Sequence, residues 1–300
     1  VELAQYSDQI GLKRFWLAEH HGSNSFAGCS PEILIPRIAS STKNIRVGSG
    51  GVMLMHYSPY KVAENFRLLE SMFPRRIDLG LGRAPGSDPF QAGALAYGSK
   101  TTGPEFFPTK MNDLRSFLSN QTPETKSFEN VNVTPGLGDV PDTWLLVSSE
   151  QGADYASFFG LPMSLAYFIN QDCLHLAKPY RENFQKSIFG DNPQVSVAVF
   201  AICAETNEEA NLLASSASIW RENVSKGIFG PFPALEEATK KIKDKDKEEG
   251  KSIVGDQKYV EGQLMKILEE TNADELKIIT ICESMSSKKE SYRLIKEIFS

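Results

Sequence analysis

The sequence predicts an α/β fold, a single (β/α)8 TIM barrel with loop insertions, on three observations. Strand-like apolar runs alternate with helix-like runs along the whole chain. Three successive strand endings carry a histidine pair, a glycine pair and a glycine-flanked arginine, groups that a barrel brings to one mouth. The 300 residues also suit one such barrel, which takes about 250, and residues 1–300 are read as one domain.

The elements follow in order. Apolar Val1, Leu3 and Ile10 give a first helix closed by Gly11, and Lys13 to Ala18 reads as a buried strand. Ser30-Pro31 and Ser58-Pro59 each announce a helix, with serine at the cap and proline in the first turn. Strands Ile45 to Val52 and Ile77 to Gly82 follow these two helix starts and lie on either side of the second. Asp88 to Pro104 shows no period, and a helix near Glu105 to Ser119 leads through a polar segment to strand Thr143 to Val147. Helix Gln151 to Phe159, strand Met163 to Phe168, helix Cys173 to Lys186, strand Gln194 to Cys203 and helix Asn207 to Asn223 continue the alternation. Ser225 to Lys251 is expected to be a mobile excursion with a solvated, sign-interleaved charge run. Helix Gln257 to Glu270, strand Glu275 to Ile281 and helix Ser286 to Phe299 finish the chain.

That makes seven strands, and a chain opening on a helix that leads into a strand implies an eighth ahead of Val1. A doubly wound open sheet is the alternative. It would place a glycine-rich phosphate loop after its first strand, and the residues after His21 lack that form.

Composition bounds the function. With 41% hydrophobic and 23% charged residues and a net charge of −6, there is material for a large core and no basic footprint for nucleic acid. No run approaches the roughly 18 apolar residues of a membrane span and no secretory leader is visible. Cys29, Cys173, Cys203 and Cys282 fall in no metal or disulfide spacing, so a reducing cytoplasm is expected.

Four stretches could carry chemistry. Glu19-His20-His21 ends a strand, but successive strand residues point to opposite faces and suit a metal poorly. Either histidine could instead be a structural ring satisfied by a neighbouring carbonyl. Gly50-Gly51 would let a planar ligand approach the backbone, or would simply form a bulge at the barrel rim. Gly80-Leu81-Gly82-Arg83 is no dinucleotide fingerprint, because Pro85 stands where a third glycine is needed. What remains there is an arginine suited to a phosphate, or to a surface ion pair. Ser148-Ser149-Glu150-Gln151-Gly152 has capping-box spacing from Ser148 to Gln151, and the same turn aims free amides at any anion.

These residues, taken with their neighbours, resemble a known family. Phe15 to His21, Ser30-Pro31-Glu32-Ile33, Ile45 to Leu54 and Arg76 to Asp88 are similar to the bacterial-luciferase-like flavin-dependent monooxygenases. Weaker likeness continues through Gly160 to Met163, Val254 to Asp256 and Ala273 to Leu276. The resemblance implies a TIM barrel binding FMN or, in some branches, F420. It implies that His20 is the active-site histidine beside the flavin. Gly50 and Gly51 match a non-prolyl cis peptide under the flavin ring, and Arg83, Ser149 and the amides near Gly152 match contacts to its phosphate. Several relatives carry a cysteine where Gly82 stands, so no thiol role is expected at that position.

The activity so implied is that of a two-component monooxygenase. It would use reduced FMN, supplied by a separate flavin reductase, and O2 to oxygenate a small organic substrate. An F420-dependent hydride-transfer enzyme and a non-catalytic flavin-binding protein are the rival readings. Consecutive Ile33, Leu34 and Ile35 cannot all face the barrel, and a homodimer covering the remainder is expected.

Overall fold

The structure, a computed structural model, describes residues 1–26, 28–136, 138–228, 230–242 and 252–300. The chain runs α1 (Glu2–Gln9), β1 (Arg14–Leu17), α2 (Pro31–Ala39), β2 (Arg46–Met53), α3 (Pro59–Met72), β3 (Ile77–Gly82), α4 (Pro89–Ala96) and α5 (Phe107–Ser119). Then come β4 (Asp142–Val147), α6 (Glu150–Phe159), β5 (Met163–Ala166), α7 (Ala177–Asn183), β6 (Val195–Cys203) and α8 (Asn207–Ser225). The chain ends with α9 (Leu235–Ile242), β7 (Ser252–Gly255), α10 (Gln257–Thr271), β8 (Glu275–Ile279) and α11 (Met285–Ile298).

All strand pairs are parallel, and the sheet curls through β1-β2-β3-β4-β5-β6 into a TIM-barrel-like wall, with β8 also on β6. Its strands read as near-continuous apolar runs because helices cover the outside and side chains fill the inside. Val47, Ile77, Leu79, Leu145, Leu165 and Val197 are all fully buried. Between β1 and β8 a cavity of about 500 Å³ runs from Leu12 and Glu275 past Trp16 and Gly50 to Phe168. Among the described residues no helix is long and apolar enough to cross a membrane.

At the amino-terminal end of the strands, polar groups close the base. Asp78, fully buried on β3, accepts two bonds of 2.8 Å from one Arg14 nitrogen, one of 2.7 Å from Arg46 and one of 2.8 Å from the Trp16 indole. Arg14 also donates to Glu275 at 3.1 Å, so one network holds β1, β2, β3 and β8 together. A buried carboxylate is tolerable only when so fully paired. Gly48 on β2 must lack a side chain, since a Cβ there would lie 2.4 Å from the Asp78 carbonyl.

Four expectations need correction. Asp88 to Pro104 contains a helix, α4, capped by the Asp88 carboxylate, which accepts from the amides of Phe90 and Gln91. None of its eight residues is buried, so no apolar period marks it in the sequence. The sheet has an added short strand, β7, which pairs with the far half of β6 (Phe200 to Cys203), beyond the β5 pairing that ends at Ala198. The expected excursion contains α9, while its charged part, residues 243–251, lies outside the described residues. The cap of α6 is Ser149, not Ser148: its hydroxyl accepts from the Gly152 amide.

Candidate active site

Beyond the end of β1 at Leu17, Glu19 and His20 have different surroundings. Glu19 turns inward and is 1% exposed. Its Oε1 accepts from the Tyr57 hydroxyl at 2.7 Å and lies 2.9 Å from His21 Nε2, while Oε2 accepts from the Met53 amide at 3.0 Å. An ionised carboxylate offers only acceptors, so His21 donates from Nε2. The Tyr57 hydroxyl is pushed well above its ordinary range by burial and by its bond to Glu19.

His20 faces the other way. Its ring lies 4.3 Å from that of Phe26 at an interplanar angle of 33°. Burial holds its pKa below the ordinary histidine value, with a contribution from neighbouring His21 and against the pull of the Gly86 carbonyl. Burial thus favours the neutral imidazole, the form able to accept a proton.

The loops behind the first three strands are tied to one another. The His21 amide donates to the Gly86 carbonyl at 3.0 Å, and His56 Nε2 lies 2.7 Å from the Pro85 carbonyl. Buried Lys110 on α5 donates to the carbonyls of Met55 at 2.8 Å and Tyr57 at 2.9 Å, and to that of Leu54 at 3.3 Å. It thereby fixes the turn that presents His56 and Tyr57.

The Gly50–Gly51 peptide is cis, and pairing with β3 skips Gly51, so a bulge is present as well. A Cβ on Gly51 would lie 2.7 Å from the Gly80 carbonyl, and one on Gly50 would lie 3.1 Å from Trp16. Regular pairing resumes at Val52, and the next residue, Met53, has its amide held by Glu19 and pairs across the sheet with Gly82, the residue before Arg83.

Arg83 meets the amino terminus of α6. It donates to Ser149 Oγ at 2.9 Å and to Gln151 Oε1 at 2.7 Å, and its guanidinium lies 5.4 Å from the Tyr155 ring and 5.8 Å from Phe107. Among the described residues it meets neutral oxygens and no carboxylate. Arg83, Ser149 and Gly152 thus come together, a cation beside the positive end of a helix, an arrangement suited to an anion. Asn170 donates to the Ser148 carbonyl at 3.0 Å and holds this turn in place.

Sequence reading missed several groups here. Gln151 sits in the singled-out turn, and Tyr155 lies one helical turn beyond it on the same face. Those two were findable from spacing. Tyr57 is 38 residues from Glu19 and no local signal links them.

Comparison with known proteins bears on this geometry. The luciferase-like monooxygenase family model matches residues 1–274. The protein YwcH of Bacillus subtilis (strain 168) is 39% identical over 307 residues, covering 100% of this chain and 92% of that protein. The N-acetyl-S-alkylcysteine monooxygenase of the same organism is 38% identical over 211 residues, covering 70% of this chain and 63% of that protein. The solved structure of apo-MsnO8 superposes with a TM-score of 0.89 at 33% identity, covering 99% of this chain and 91% of that one. Two more distant structures share the fold. The oxygenating constituent of 3,6-diketocamphane monooxygenase, solved with FMN, has a TM-score of 0.70 at 18% identity, with coverage of 99% and 90%. An F420-dependent secondary alcohol dehydrogenase, solved with an F420-acetone adduct, has a TM-score of 0.69 at 12% identity, with coverage of 100% and 94%. With its parallel barrel, its glycine bulge and its arginine at a helix terminus, the chain belongs to the luciferase-like monooxygenase family.

Proposed function

We propose that the protein is the oxygenating component of a two-component monooxygenase that uses reduced FMN and O2 on a small organic substrate. The observation that carries this reading is Arg83, a cation bonded to Ser149 and Gln151 at the start of α6 beside the Gly50–Gly51 bulge. That donor set fits a phosphate, and the flat glycine backbone next to it suits a planar ring. Arg83, Ser149 and the amide of Gly152 would hold the phosphate, and Gly50 with Gly51 would lie against the ring. Bound reduced FMN would supply the electrons with which O2 is activated, one oxygen atom going to substrate and the other to water.

The chain's own part is positional and acid–base. His20, neutral and beside the mouth, is the group to accept or return a proton. Glu19 orients His21, and the tied loops exclude water. Pro85 in place of a third glycine argues against a nicotinamide site, which leaves reduction of the flavin to a separate reductase. Four free thiols support a cytoplasmic setting. Ile33, Leu68 and Met72 on α2 and α3 are 68%, 52% and 54% exposed, an apolar face that supports a homodimer. A dimer mass by light scattering at micromolar concentration is the expected result, and a monomer refutes it.

Fluorescence titration with FMN, riboflavin and F420 tests the cofactor. FMN binding more tightly than riboflavin and F420 is expected. Exclusive F420 binding would convert the reading to hydride transfer, and absence of flavin binding would overturn it. Oxygen transfer to an N-acetyl-S-alkylcysteine, with reductase-generated reduced FMN, is the first turnover assay, because a 38% identical relative is named for that substrate. Bound FMN that neither reductant nor O2 can reach would mark a non-catalytic flavin protein.

A further inference from the structure

We infer that Phe26, Trp220 and Phe232 form the substrate-recognition wall of the mouth, and that the wall selects an apolar alkyl or aryl group. The three rings come from separate segments, the loop after β1, the last turns of α8 and the stretch before α9. Phe26 lies 5.5 Å from Trp220, which lies 6.3 Å from Phe232. At its inner end Phe26 rests on His20, with 4.3 Å between ring centroids.

The polar atoms of this assembly are used up within it. The Trp220 indole donates to Ser25 Oγ at 3.0 Å, and Ser25 Oγ donates to the Gly230 carbonyl at 2.7 Å. What the wall presents is therefore carbon. A cluster that served only to pack loops would bury its rings, yet Phe26 is 38% exposed and Trp220 and Phe232 are only half-buried. Apolar surface left open beside a site is the usual form of a recognition face. Aromatic faces accept alkyl chains and flat rings alike, and nothing in the wall would hold a charged or strongly polar group.

The inference rests on this mouth being the active site, but its test needs no flavin. Primary alcohols from butanol to octanol serve as unreactive probes, and binding is read by calorimetry on wild type, Trp220→Ala, Trp220→Phe and Phe232→Ala. Wild-type affinity is expected to rise roughly three- to fourfold per methylene. Trp220→Ala should lower octanol affinity about tenfold or more and flatten the series, while Trp220→Phe keeps most of it. Melting curves check each fold, and Phe232→Ala carries the comparison if Trp220→Ala does not fold. Affinity independent of chain length, or octanol affinity within twofold of wild type in the alanine variant, would overturn the inference. FMN titration of the same proteins separates the two readings. Alcohol binding without FMN binding sinks the flavin reading alone, and the reverse sinks the wall alone.

Discussion

Glu19 is the residue whose removal should disturb the site most, and the size of the effect can be worked from its bonds. Its carboxylate takes hydrogen bonds from the Tyr57 hydroxyl, His21 Nε2 and the Met53 amide, at 1% exposure. Glu19→Ala leaves the tyrosine and amide donors without partners in a buried place. At about 1–3 kcal/mol for each, with a small cavity added, the expected loss is about 3–5 kcal/mol. At roughly 1.6 °C per kcal/mol for a chain of 300 residues, melting should fall by about 5–8 °C.

Glu19→Gln discriminates more finely. The amide oxygen can keep the Met53 bond, and its NH2 then faces Tyr57 and His21. Both can accommodate a donor, the phenol by turning its proton away and the imidazole by moving its proton to Nδ1. Stability should fall by only about 1–2 kcal/mol, the loss of charge assistance. The tautomer of His21 should reverse, which ¹⁵N NMR of the imidazole reads directly. An alanine variant melting within about 1 °C of wild type, or an unchanged His21 tautomer in the glutamine variant, would refute the reasoning.

Four further outcomes are expected. Arg83→Gln should weaken FMN roughly 10- to 100-fold and leave riboflavin unchanged in fluorescence titration, since only the phosphate is lost to it. Gly80→Ala should cost about 3 kcal/mol in urea unfolding, because its Cβ would lie 2.1 Å from the Ser49 carbonyl and backbone cannot yield as a side chain can. His20→Ala should lower turnover with little change in melting, and a large fall in melting would assign the ring a structural role instead. Lys277, packed 4.0 Å from Trp144 and 4.1 Å from Trp16, has its ammonium pushed down to about 7 by burial. Above that pH the unfolded chain still holds the proton and the folded one does not, so stability rises with pH between about 7 and 10. Relative to Lys277→Met, wild type should gain up to about 1.4 kcal/mol per pH unit there, and a pH-independent difference would refute this.

What could be read from the sequence divides along local and non-local lines. Barrel strands and covering helices were legible because burial on both faces of a parallel sheet leaves long apolar runs, and Ser30-Pro31 and Ser58-Pro59 mark helix starts. The start positions hold, although neither serine hydroxyl makes a capping bond, so the proline contributes more to the signal than the cap. Helix α4 escaped because a helix with no buried residue has no period to detect. Strand β7 escaped because four residues pairing with half of β6 leave too short a pattern. In the site, Arg83 and Gly152 were picked out from strand and helix ends and Ser149 through the family resemblance, and the structure brings the three together. Glu19 with Tyr57, and Phe26 with Trp220, meet only in three dimensions. The contacts that hold Glu19 and Phe26 in place beside the histidines were therefore out of reach of spacing.

The strands and the rim of the barrel differ in how far stability and function can be separated. Along β2 and β3 they cannot be, because the same close approach serves both. Gly48 lies against Asp78, the hub of the basal network, and Gly51, two residues past Ser49, lies against Gly80 at the mouth. A side chain introduced at either level would force the two strands apart and disturb the bulge and the network together. Arg83 and Trp220 stand outside that constraint. Each meets its partners through side-chain atoms at the rim, so substitution there removes a contact without moving a strand. Binding should therefore be tunable at Arg83 and Trp220 with melting nearly constant, whereas variants at Gly48, Gly51 or Gly80 should lose binding only in step with stability. A glycine variant of normal stability that had lost FMN would break that division, as would an Arg83 variant that failed to fold.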